Sequence, residues 1–268
     1  MNKRSLFLTA CCIALYAGVC MAQDFAGGSG TETDPYLIKT PQQLSNLRNY
    51  LDEYPKKYFK LGNDLDVSAF CQESWGTAGW EPVGRERTPF GGQLDGDGHK
   101  ISGLWIDRET EDNIGLFGSI SGTVKNLGIA TDDTRGGIKG RSYVGSLAGQ
   151  NSGEIVNCHA AALINGNGGD YGDYSGGLIG YVSGNGSVTN CYASGDVSAS
   201  DSYSYAGGLI GSVHEGSITN CYASGNVSSL YCSGGLIGHV SEGNTTNCYA
   251  TGVYLLLILL IMLLIPAD

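Results

Sequence analysis

Basic residues are scarce in this sequence. Fifteen Lys and Arg stand against 26 Asp and Glu, a formal net charge of −11 over 268 residues. No basic cluster occurs in the body of the chain, which argues against nucleic acid and against an anionic membrane as partners. Charged residues of both signs together make up only 15%. Disorder does not follow, because hydrophobic residues reach 41%, enough to build a core. The spacings that carry catalytic or metal chemistry are missing too. No cysteine pair has CxxC spacing. "DGDGH" (Asp95–His99) opens like a calcium loop, but no spaced glutamate closes it, and it reads as a Gly-rich turn. His159, His214 and His239 occur singly, with no Ser-His-Asp or Cys-His signature around them. The acidic pairs Asp64/Asp66 and Asp95/Asp97 fall in turn or strand sequence rather than in a catalytic cluster.

What the sequence has in excess is glycine, 43 residues of it, and repetition. "GGLIGYVSGNGSVTNCYASGDVS" (Gly176–Ser198) returns almost unchanged as "GGLIGSVHEGSITNCYASGNVS" (Gly207–Ser228). The leucines Leu116, Leu147, Leu178, Leu209 and Leu236 step by 31, 31, 31 and 27 residues. The asparagines Asn126, Asn157, Asn190, Asn220 and Asn247 step by 31, 33, 30 and 27. Two landmarks in phase over five units mark a stack of structural rungs. An active site has no use for copies of itself.

Each unit holds two short strand-like pieces and a weaker third, bounded by Gly, Ser and Asn and too short for helices. Period-2 alternation points Val124, Ile155, Val188 and Ile218 inward, and Lys125, Val156, Thr189, Thr219 and Thr246 outward. The chain bends at the Asn. Beyond the bend Leu127, or a cysteine, takes the next inward position. One coil cannot bury its inner face alone: three or four aliphatics at roughly 1.5–3 kcal/mol each meet an ordering cost of about 1–2 kcal/mol per residue. Stacked coils share that face and add ladder hydrogen bonds. The fold expected is therefore all-β, a parallel β-solenoid of coils of 27–31 residues. It is expected over residues 58–252, clearest at 113–252, with "FKLGNDLDV" (Phe59–Val67) as an early rung. "ISGLWI" (Ile101–Ile106) is aligned on "VKNLGI" (Val124–Ile129), a shorter step of 23.

Residues 23–57 are expected to form an N-terminal cap with one short helix. Thr40 is its N-cap, Pro41 its first residue and Gln43 the partner in a capping box; Leu44, Leu47 and Leu51 line one face and Pro55 stops it. Residues 1–22 read as a signal peptide. Lys3 and Arg4 precede the apolar "SLFLTACCIALYAGV", and Cys20-Met21-Ala22 is a small-x-small cleavage site; "LTAC" at Leu8–Cys11 leaves a lipoprotein reading open. Cys11, Cys12 and Cys20 leave with that peptide. The expected destination is outside the cell, secreted or at the surface.

At this point the residues resemble a known family. "GGLIG....GSITNCYASGNVS" looks like the GLUG motif, named for its Gly-Leu-any-Gly core. "GGSGTETDPYLIKTPQQL", "YFKLGNDLDV", "PFGGQLDGDGHKISGLWI" and "IGLFGSISGTVKNLGI" resemble the region that precedes GLUG repeats. The resemblance spans about residues 27–252. It implies a right-handed parallel β-helix on an exported bacterial surface protein of adhesin-like kind. Some relatives accompany peptidase domains. The motif has no catalytic residue to carry over.

Three columns follow from the repeat. Asn126, Asn157, Asn190, Asn220 and Asn247 form a structural column at the corner, where an amide bonds the next amide. Cys158, Cys191, Cys221 and Cys248 form a column read first as buried thiols, with inter-rung disulfides or a metal as alternatives. Cys71 and Cys232 lie outside it and have no assigned role. Tyr192, Tyr222 and Tyr249, with His159 in line and Thr189, Thr219 and Thr246 beside them, form an outward column. It is either a ligand-contact surface for a glycan or protein, or rings that pack only on each other. Phe117, Ala148, Ile179, Ile210 and Ile237 alternate outward as well: either a bend at the next Gly tucks them in, or they form an exposed apolar stripe. No cofactor and no metal is expected.

The leading functional expectation is a non-catalytic, adhesin-like surface protein that binds a glycan or a host or bacterial surface protein through a solenoid face. The alternatives are a structural spacer of a larger surface protein and a polysaccharide-active enzyme. Residues 253–268 break the pattern. The apolar run Leu255–Ile265 is shorter than the roughly 20 residues that cross a bilayer. It reads as a frameshift or truncation, with a membrane-associating tail or a plug over the last rung as rivals.

Overall fold

The structure is a computed structural model that describes residues 24–51, 53, 55–168 and 173–256. The expected signal peptide and the tail from residue 257 onward lie outside the described residues. Among the described residues the strands form three sheets of eleven, nine and seven strands. Every ladder between named strands is parallel. The chain is a β-solenoid whose repeats supply successive strands to each side.

The eleven-stranded sheet takes two strands from a repeat, such as Ala148–Asn151 and Glu154–Val156. In the last two repeats they fuse into single strands, Ile210–Thr219 and Ile237–Thr246. The seven-stranded sheet holds the strand after the Asn corner, with Gly128–Thr131, His159–Ala161, Tyr192–Ser194, Tyr222–Ala223 and Tyr249–Ala250 in order. The nine-stranded sheet holds the weak third strand, Val197–Ala199 for example. It also holds a fourth strand that sequence patterning did not separate: Tyr174–Gly176, Tyr205–Gly207 and Cys232–Gly234. In the earlier repeats the long strands Ile106–Ile114 and Ile138–Gly145 cover both positions.

The core is the expected one. Leu116, Leu147, Leu178 and Leu209 are fully buried, as are Val124, Ile155, Val188 and Ile218. Phe117, Ala148, Ile179 and Ile210 are buried as well and Ile237 is partly buried, so no apolar stripe faces solvent over the first four units. The bend that tucks them in lies at Gly-Leu ahead of the strand, not at the glycine that follows. Leu and the next residue both point inward because a corner separates them.

The alignment of "ISGLWI" on "VKNLGI" is corrected. Leu94 pairs with Val124 and Ile101 with Ile129, so "QLDGDGHKIS" is the stretch that runs parallel to "TVKNLGIA". The turn at "DGDGH" carries extra residues between its two strands. These shift the apparent match, and past the turn the ladder shifts once more between Ile101 and Leu104.

At the N-terminal end, Tyr36–Ile38 is already paired with Tyr58–Leu61, ahead of the strand legible at Phe59. Between them Pro41–Ser45 is α-helical and Asn46–Tyr50 continues as a 3-10 helix. Thr40 Oγ1 accepts from Gln43 N at 3.2 Å. Gln43 Oε1 accepts from Lys39 N rather than from Thr40, so the box is displaced by one residue. Leu44 and Leu47 are fully buried. Tyr50 joins Phe25, Tyr36 and Phe59 in an aromatic cluster over this end. A second helix, Ser68–Trp75, buries Cys71.

Candidate functional site

The Asn column is a hydrogen-bonded ladder. Asn157 Nδ2 donates to Asn126 Oδ1 at 3.0 Å, Asn190 to Asn157 at 3.1 Å, Asn220 to Asn190 at 3.1 Å and Asn247 to Asn220 at 3.2 Å. All five residues have φ between 53° and 55°. Asn tolerates that left-handed corner better than other side chains, and its amide serves the ladder at the same time. The ladder ends on Asp95, whose Oδ1 accepts from Asn126 Nδ2 at 2.9 Å and from Asp97 N at 2.9 Å. Burial alone would raise the Asp95 pKa, but these bonds and Lys125 hold it below the ordinary value. The "DGDGH" carboxylates are engaged this way, with Lys60 on Asp97 at 3.0 Å.

The cysteine column is a file of free thiols. Cys191 Sγ donates to Thr189 O at 3.2 Å and accepts from Cys158 N at 3.4 Å, and the pattern repeats along the stack. The hydrogen bond with Cys158 is the largest cause of the raised Cys191 pKa; for Cys221 the bond with Cys191 leads and burial adds to it. Burial pushes Cys71 up to about 12. In iodoacetamide at about pH 8, Cys232 and Cys248, both partly exposed, are expected to label in the folded protein. Cys71, Cys158, Cys191 and Cys221 should label only after denaturation. Peptide mass mapping checks this; uniform labelling would remove the column from the core.

Tyr192, Tyr222 and Tyr249 form one stack with His159. Ring centroids are 4.8 Å apart from His159 to Tyr192, 4.8 Å to Tyr222 and 5.3 Å to Tyr249, with planes within 5–7° of parallel. Gly128 ends the row because a Cβ there would meet His159 Nε2 at 2.7 Å. The geometry matters for binding. Parallel rings stacked along the axis cover each other's faces and offer solvent their edges. Among the described residues only Tyr249 of the three tyrosines, 58% exposed, has no ring on one of its faces. Thr189 and Thr219 are half-buried beside this stack and Thr246 is exposed.

A second aromatic group lies where the fourth strand meets the eleven-stranded sheet. Tyr143 stacks on Tyr174 at 5.2 Å and Tyr174 on Tyr205 at 5.4 Å. Unlike the first column, this row carries rings set across it. Tyr181 meets Tyr143 and Tyr174 at 61° and 51°, His239 meets Tyr205 at 54°, and Tyr231 meets Tyr205 at 80°. The cause is register. The next repeat places Cys232 opposite Tyr205, so Tyr231, one residue earlier, swings sideways. Tyr181 and His239 come from the neighbouring row, in line with Ser212. Tyr203 (63% exposed) extends the group beyond Tyr231 (50% exposed). Acidic groups act on these rings, Asp112 and Glu86 on Tyr143 and Glu215 on Tyr181, and Asp112 is itself paired with Arg141 at 2.6 Å. Burial is the main cause of the raised pKa of Tyr143, Tyr181 and Tyr205.

The model of one protein family, the GLUG motif, matches residues 171–198, 202–228 and 229–253. This chain carries the GLUG motif three times. GLUG-bearing or not, two longer proteins resemble it in sequence. A "Putative Gly-rich membrane protein" of Evansella cellulosilytica is 41% identical over 149 residues, 54% of this chain and 17% of that protein. "Halomucin" of Haloquadratum walsbyi is 35% identical over 163 residues, 59% of this chain and 2% of that protein. The chain thus spans a small part of either relative. A solved structure described as a putative immunoglobulin A1 protease from Bacteroides ovatus superposes with a TM-score of 0.55, covering 87% of this chain and 80% of that one. At 23% identity the likeness is one of fold.

The three GLUG matches coincide with the most regular part of the stack. In the first two matches the Leu of the motif fills the core, the Asn turns the corner, and the Cys-Tyr that follows puts one side chain in and one out; in the third, Leu236 and Cys248 are only partly buried. The GLUG repeats also contain what sequence patterning passed over. "YSGG", "YAGG" and "CSGG" recur just ahead of each "LIG", and that recurrence was the available signal for the second aromatic group. Of the single histidines, His239 Nδ1 lies 3.4 Å from Ser212 Oγ. Among the described residues no carboxylate is bonded to either of them.

Proposed function

We propose that this GLUG-repeat chain is a non-catalytic, exported surface protein that binds an uncharged glycan along the aromatic group of Tyr143, Tyr174, Tyr181, Tyr205, Tyr231 and His239. The observation that carries the reading is the crosswise setting of Tyr181, Tyr231 and His239 against a stacked row. Such rings leave faces for the apolar side of a sugar while the phenol hydroxyls serve its polar edge. The acidic neighbours and the net charge of −11 disfavour anionic glycans. The row extends over four successive repeats, which suits a chain-like ligand. The names of the relatives, a membrane protein and a halomucin, support a place at the cell surface.

This reading moves the contact surface away from the Tyr192–Tyr222–Tyr249 column, whose faces are covered. In a glycan screen with the full chain, the Tyr174→Ser, Tyr181→Ser, Tyr205→Ser triple variant is expected to lose at least about tenfold in affinity, roughly 1.4 kcal/mol. The Tyr192→Ser, Tyr222→Ser, Tyr249→Ser variant should lose stability but keep affinity per folded molecule. Loss of binding only in the second variant would return the site to the first column. Release of cut product by the wild type would favour an enzyme. Silence across neutral and charged glycans would favour the spacer reading, which the long relatives also support.

A further inference from the structure

The inner face of the nine-stranded sheet carries Gly166, Ala199 and Ser229 in successive repeats. At Gly166 a Cβ would collide with Asp173 Oδ2 and Ser175 Oγ. The missing side chain is therefore the space that the Asp173 carboxylate occupies, inside the solenoid. Asp173 is fully buried, at 0% exposure. Its Oδ1 accepts from Ser175 Oγ at 2.8 Å, while its Oδ2 has no hydrogen-bond partner among the described residues. One repeat on, Asp201 lies against Gly168, and its Oδ2 is likewise buried and without a partner among the described residues. Gly166 and Gly168 stand two residues apart on one segment, which sets the two carboxylates side by side; burial first and then Asp201 raise the Asp173 pKa.

A carboxylate oxygen without a partner in the interior, that of Asp173, with the buried Oδ2 of the partly exposed Asp201 beside it, is unstable without a counter-charge. We propose that Asp173 and Asp201 together bind a hard divalent cation of the calcium type between two repeats. The donors are oxygens only, which selects calcium over softer metals. The two carboxylates fill the space that side chains at Gly166 and Gly168 would take, so glycine at both positions is what lets them reach this place. Asp201 is only partly buried and opens the way in. Water and main-chain oxygens would complete a shell of roughly six to eight ligands.

Thermal melting of the full chain at about pH 8, after chelation and then with calcium chloride, tests this. Wild type is expected to gain about 5 °C or more in Tm at a hundredfold excess of calcium over its apparent Kd. Asp173→Asn and Asp201→Asn should each abolish the gain. Asn keeps the shape and removes the charge, so both variants should fold, with calcium-free melting at or above that of wild type. A wild-type Tm unmoved by calcium overturns the proposal and leaves a proton as the neutralising ligand, since burial pushes Asp173 up to about 7. A calcium gain that persists in both variants also overturns it.

Discussion

Leu209→Asp is expected to unfold the C-terminal half of the stack. Leu209 is fully buried in the middle of the leucine file. Its backbone bonds both ways: its N–H donates to Leu236 O at 2.9 Å, and its carbonyl accepts from Leu178 N at 2.9 Å. The substitution removes roughly 1.5–3 kcal/mol of apolar burial and adds a lone carboxylate whose desolvation costs several kcal/mol more. That sum rivals the total stability of a typical domain, about 5–15 kcal/mol. In a stack where each repeat touches only its neighbours, the loss spreads locally first. Hydrogen exchange should show amides of residues 176–253 losing protection while those of 36–120 keep theirs. Leu209→Met should cost less than about 1.5 kcal/mol. Unchanged protection in the Asp variant would mean that Leu209 does not face the core.

The second large effect is expected at Asn190. It donates to Asn157 and accepts from Asn220, each at 3.1 Å, and holds φ at 55°. Asn190→Gly removes the two amide bonds but keeps the corner, for about 2 kcal/mol. Asn190→Val also forces a β-branched residue into the left-handed region, for roughly 1–2 kcal/mol more. Denaturant melts of the two variants separate the terms. If Gly and Val cost the same, the corner is unstrained and the amide ladder is the whole contribution. If Gly costs nothing, the ladder bonds merely replace water and the Asn is retained for its backbone alone.

The two aromatic columns show where sequence reasoning reaches and where it stops. Tyr192, Tyr222 and Tyr249 sit at identical repeat positions, so their alignment was legible. Their ring planes were not, and it is the parallel planes that cover the faces. Tyr143, Tyr174 and Tyr205 were equally periodic but stood in a stretch without clear alternation, ahead of the glycine pair that makes the corner. Their partners Tyr181 and His239 come from a different strand of the repeat. Nothing local to either segment states that the two meet.

The sequence alone determined the stack. A period kept by two landmarks demands parallel pairing of like with like, and alternation then decides which side chains face in; both are properties of short segments. Hence the Leu, Val/Ile, Cys and Asn columns were readable before any coordinates. The tertiary structure decided what happens where segments join. The corner angle sets which rows become neighbours, so it brought Tyr181 against Tyr174. The extra turn residues at "DGDGH" decided the register of the early rungs. Asp173, in a polar, Gly-rich stretch to which the repeat pattern assigned no face, lies inside only because Gly166 across from it has no side chain. Periodicity reports the face a residue shares; the space opposite that face depends on residues far along the chain.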